Sequence, residues 1–134
     1  MTDLIKQYKQ ACEIVGGMNN VRIVPSKCGR YEFLRYYETD GPSLDDTDAT
    51  DLICAALERF CLDVLNANEF MSDCYVRPYK DVNDNVHWRY VIMFKPVLEG
   101  FCPPEPTKGV DKKGFPTKLE AYIAMAQAVN SANT

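Results

Sequence analysis

The stretch "VHWRYVIMFKPV", residues 86–97, decides the fold. Trp88, Tyr90, Ile92 and Phe94 alternate with His87, Arg89, Val91, Met93 and Lys95. A period of two is the signature of a strand, whose side chains point to opposite faces in turn. The centre, "YVIMF", is apolar at both parities, which predicts a strand interior to a sheet. Upstream, "CYVRPYK" at 74–80 reads as its antiparallel partner, joined through the turn "DVNDN". Pro78 has no amide hydrogen to donate, so that partner is expected at an edge or in a bulge.

Working outward, a leading helix is predicted over 3–15, with Leu4, Ile5, Tyr8, Ala11, Cys12 and Val15 at helical spacing. Thr2 is its candidate cap, and Gly16-Gly17 its stop. Strands at 21–24 and 30–38 flank "PSKCG" and form a second hairpin. An acidic linker, 38–51, leads to the most apolar helix, 52–67. The segment 99–116 is rich in Pro, Gly and Lys and reads as a long loop with room for one short strand. After it, Thr117 and Glu120 form a T-x-x-E capping box that opens a last helix over 118–130. The expectation is a single α+β domain, 1–134, of order α-ββ-α-ββ-α: a mostly antiparallel four-stranded sheet with three helices.

The chain has 134 residues, 46% hydrophobic and 25% charged, with a formal net charge of −4. That is ordinary globular composition and argues against nucleic-acid binding by the whole surface, while leaving room for local basic patches. No apolar run approaches membrane-spanning length, and "MTDLIKQYKQAC" lacks the apolar core of a signal peptide. A cytoplasmic location without a membrane partner is the expectation. The cysteines are Cys12, Cys28, Cys54, Cys61, Cys74 and Cys102, with no C-x-x-C among them. Reduced thiols are expected, Cys54 and Cys61 as small buried hydrophobes and Cys28 and Cys102 as the ones in exposed turns. No Walker loop, G-x-S-x-G, G-x-G-x-x-G or H-E-x-x-H occurs, and His87 is the lone histidine. No metal or cofactor is expected, and function by binding is favoured over catalysis.

Three features are candidates for that binding. Tyr75, Arg77 and Tyr79 share one strand face, and Arg89 and His87 point outward if Trp88 and Tyr90 point inward. Such a face suits protein contacts, anion binding or base stacking. Asp40, Asp45, Asp46 and Asp48 in the linker suit docking onto a basic surface. Arg77 and Arg89 with Lys108, Lys112, Lys113 and Lys118 form the alternative, a nucleic-acid or small-anion set that a nucleotide would also fit. An edge strand and an Arg/Tyr face would equally serve a homo-oligomer.

"HWRYVIMF" followed by "KKGFPTKLEA", within residues 86–129, resembles the arm-type DNA-binding domains of phage integrases. The resemblance implies a sheet face laid against DNA with basic residues on phosphate. The chain as a whole resembles small accessory proteins of phages and other mobile elements. That resemblance implies an inhibitor or modulator whose partner is a host or viral protein.

Overall fold

The computed structural model describes residues 3–17, 21–25, 29, 32–36, 45–68, 71–95 and 107–132. Their elements are α1 (Asp3–Val15), β1 (Val21–Pro25), β2 (Glu32–Tyr36), α2 (Asp46–Ala67), β3 (Met71–Lys80), β4 (Val86–Phe94), β5 (Thr107–Phe115) and α3 (Lys118–Ala132). The class is α+β, with antiparallel sheets of two and three strands among the described residues. The chain divides into two compact units, Met1–Leu57 and Glu58–Thr134.

In the first unit, β1 and β2 pair antiparallel from Val21↔Tyr36 to Pro25↔Glu32. The α1 helix stops where the sequence says it should. Gly16 and Gly17 take φ of 81° and 113°, and both amides donate to the Cys12 carbonyl. Only glycine reaches such angles without steric cost, so the paired glycines end the helix in one turn. Ile5, Tyr8 and Ala11 of α1 are buried, as are Val21 and Leu34 of the hairpin. The Tyr8 hydroxyl donates to the Val21 carbonyl at 2.7 Å, which satisfies a phenol that burial would otherwise penalise. Lys9 and Glu32 form an ion pair at 3.3 Å beside it.

In the second unit the sheet order is β3-β4-β5. The interior strand is β4, as its double-sided apolar centre requires: Tyr90, Val91 and Ile92 are all buried. Pro78 lies in β3, an edge strand, where a missing donor breaks no ladder on the open side. Leu119, Tyr122, Met125 and Val129 of α3 are buried in this unit's core. Thr117 caps α3, its hydroxyl accepting from the Glu120 amide at 3.2 Å.

Three expectations are corrected. The sheet is not four-stranded: β1 and β2 form their own two-stranded sheet, and β4 takes its second neighbour from elsewhere. That neighbour is β5, a nine-residue strand where the segment 99–116 is expected as a long loop with room for one short strand. Lys and Gly give "TKGVDKKGF" low strand propensity, yet β4 has two edges of backbone donors and acceptors to satisfy, and pairing overrides propensity. Two register shifts, at Trp88/Tyr90 and Ile92/Met93, accommodate this glycine-bearing strand. Finally, α2 begins at Asp46 rather than at Leu52, so the C-terminal part of the acidic linker is helix. Asp45 is the reason: its carboxylate accepts from the Asp48 amide at 2.7 Å, a cap nearly two turns earlier than hydropathy suggests.

Candidate functional site: an Arg/Tyr sheet face

Register assembles the site. Across β3 and β4 the pairs are Tyr75↔Val91, Arg77↔Arg89 and Tyr79↔His87, so these six side chains share one face. The alternate residues take the other face, where Cys74 and Val76 line a cavity with Cys61 of α2 and with Tyr122 and Met125 of α3. Helices therefore cover that second face; Tyr75 reaches the same cavity and Val91 is fully buried, so the Arg/Tyr face is open at Arg77 and partly open at Arg89, Tyr79 and His87. A bulge between Met71 and Asp73 precedes this stretch and sets which residues of β3 face which way.

The face is cationic at its centre. Arg77 is exposed and its guanidinium lies 4.4 Å from the Tyr75 ring centroid, a cation–π contact. Arg89 is half-buried and forms a long ion pair with Asp111 of β5 at 3.9 Å. Asp111 stands across from Val91, and Lys113 follows it two residues on, exposed. Toward the hairpin turn, Tyr79 and His87 have ring centroids 5.7 Å apart. His87 Nε2 sits 2.7 Å from Asp81 Oδ2, while Asp81 Oδ1 accepts from the amides of Asn83 and Asn85. The Asn85 amide above all, then His87 and the Asn83 amide, holds the Asp81 carboxyl below its ordinary range. Asp84 takes φ of 66° in this turn, a left-handed position that aspartate tolerates. At the same end Val82 is fully exposed and Val86 is 52% exposed.

Other sequence candidates fall elsewhere. Asp40 lies outside the described residues. Asp45 is taken up as the α2 cap, Asp46 is the first residue of α2, and Asp48 is exposed in its first turn. Lys108 is in β5 across from Met93. Lys112 is exposed but stands across from Tyr90, at a register position of the opposite face. Lys118 opens α3, with its ammonium 5.8 Å from the Tyr122 ring. The cations proposed from sequence as one set are therefore divided between two sides of the sheet.

Comparisons with protein families, with curated proteins and with solved structures find no match. Chemistry alone must then describe the site. His87 and Cys74 lie on opposite faces of the sheet, which separates the histidine from the thiol nearest to it in the ladder. Among the described residues no group of three or more His, Cys, Asp or Glu side chains is placed to hold a metal ion. Among the described residues no helix is long and apolar enough to cross a membrane. Sequence reading missed Asp111, because no strand in its segment could be placed or paired from sequence. It also missed Val82 and Val86, which sit in a turn and at a strand end where hydropathy carries no signal.

Proposed function

We propose that the chain acts by binding rather than by catalysis, and that its Arg/Tyr sheet face docks a partner protein through that partner's carboxylates. The observation that carries this reading is the direct register of Arg77 with Arg89. Like charges directly opposite destabilise a sheet, and the ion pair of Arg89 with Asp111 is a long 3.9 Å. A carboxylate arriving from outside would accept bidentate hydrogen bonds from guanidinium groups and relieve that repulsion. Tyr75 and Tyr79 beside them are the residue type that anchors protein interfaces. The exposed Val82, in the turn at the end of this face, adds apolar area there, which favours a protein over a nucleic acid. A modulator or inhibitor of a host or viral protein fits this arrangement.

Affinity capture from nuclease-treated extract of the source cell, with wild type and the Arg77→Glu/Arg89→Glu variant as baits, tests the reading. Proteins held by wild type and lost by the folded variant are expected. Identical capture by both baits would overturn it. Anisotropy titration with labelled duplex DNA and RNA addresses the other reading: salt-sensitive binding that the same variant abolishes would assign the face to nucleic acid.

A further inference from the structure

The second unit holds a feature that this binding face does not use. Cys61 of α2 and Cys74 of β3 both line a cavity of about 130 Å³, together with Glu58, Tyr122 and Met125. Both thiols are buried, Cys61 at 1% exposure and Cys74 at 9%. Each thiol is the strongest single influence on the other's ionisation, as neighbours are. We propose that Cys61 and Cys74 are a peroxide-oxidisable dithiol that closes to a disulfide in the folded protein.

Three observations carry this. The thiols come from different elements, a helix and a strand, brought together by the fold and not by a C-x-x-C spacing. The bulge between Met71 and Asp73 lies just before Cys74 and fixes it on the cavity side of β3. The cavity gives a small oxidant room to reach a sulfur, which a close-packed core would deny. Their roles differ. The neighbouring Cys61 favours a thiolate at Cys74, while Cys74 and burial disfavour one at Cys61. Cys74 is also the more accessible of the two, at 9% exposure against 1%, so it is the attacking sulfur and Cys61 the resolving one.

The chemistry balances with hydrogen peroxide as oxidant. The Cys74 thiolate attacks one peroxide oxygen, the O–O bond breaks, and Cys74 becomes a sulfenic acid. The departing hydroxide takes the proton that Cys74 had lost and leaves as water. The Cys61 sulfur then attacks the Cys74 sulfur, the S–OH bond breaks, and the S–S bond forms. The hydroxide leaves with the Cys61 proton as a second water. Two thiols and one peroxide become one disulfide and two waters, and the disulfide ties α2 to β3.

The sequence makes the test direct. A tryptic peptide spanning 60–80 holds Cys61 and Cys74 and no other cysteine, since cleavage after Arg77 is blocked by Pro78. The reduced folded chain is treated with stoichiometric hydrogen peroxide, quenched with an alkylating agent, digested and weighed. The expected product is this peptide two hydrogens lighter and unalkylated, restored by reductant, and formed faster in the folded chain than in urea. Cys61→Ser should leave a sulfenic acid at Cys74 that dimedone traps, and Cys74→Ser should leave Cys61 as a thiol. Oxidation of Cys12 or of intermolecular pairs while the 60–80 peptide stays a dithiol would overturn the proposal. So would equal rates in folded and urea-treated chain, a measurement that needs no variant to fold.

Discussion

Arg77 of β3 stands directly across from Arg89 of β4, and the two are distinguished by what lies beside them. Arg77 rests on the Tyr75 ring and is exposed; Arg89 is half-buried near Asp111. Arg77→Glu would exchange a like-charge cross-strand pair for an opposite one, a gain of about 0.5 kcal/mol. It would also lose an exposed cation–π contact of about 0.5–1 kcal/mol. The terms nearly cancel, so urea denaturation should place the variant within about 0.5 kcal/mol of wild type. Partner capture should nevertheless disappear. A large stability loss would show that Arg77 holds the sheet together and would remove it from the binding account.

The β3–β4 turn should weaken in acid. The Asp81 carboxyl is held below its ordinary value of 3.8 by the Asn85 amide, His87 and the Asn83 amide. A carboxyl with a depressed folded value contributes stability above its unfolded value and loses it as pH falls through the folded one. The contribution is thus complete above the ordinary carboxylate range and fades at pH below 3.8. NMR of the Asn83 and Asn85 amides should follow it. In Asp81→Asn the side-chain oxygen remains as acceptor, and the acid-dependent shift of those amides should vanish.

Much of this architecture is legible from particular residues. The double-sided apolar run at Tyr90 to Ile92 places β4 inside the sheet, Pro78 places β3 at an edge, and Gly16-Gly17 ends α1 at Val15. Alternation alone puts Arg77 with Tyr75 and Tyr79. What sequence does not show is pairing at a distance. Local composition in "TKGVDKKGF" favours a loop, and only the unsatisfied edge of β4 makes it a strand. For the same reason Asp111 near Arg89 and Cys74 against Cys61 are invisible until the partners are known. Splitting the strands into separate sheets of two and three is likewise a matter of long-range partners, on which β1 and β2 carry no local mark.

The two caps should be separable in their effects. Asp45 accepts from the Asp48 amide at the start of α2, and Thr117 accepts from the Glu120 amide at the start of α3. Asp45→Ala and Thr117→Ala should each cost about 1 kcal/mol. Hydrogen exchange should place the first loss at the start of α2 and the second at the start of α3. If Asp45→Ala leaves stability unchanged and abolishes partner capture, the aspartate serves the interface in place of the helix.

Gly109 in β5 should tolerate no side chain. A Cβ there would fall within the Phe94 ring, the cross-strand aromatic that covers the glycine. The register shift between Ile92 and Met93 lies at this point, so β5 passes β4 with the ring laid over bare backbone. Gly109→Ala must push the ring from its place, an overpacking that typically costs about 1–3 kcal/mol. Phe94→Ala removes the obstacle along with its own packing. The double variant should therefore be less destabilised than the sum of the single ones, by about 1 kcal/mol or more, in a denaturant double-mutant cycle. Simple additivity would mean that the ring swings aside freely and that β5 owes its register to the backbone ladder alone.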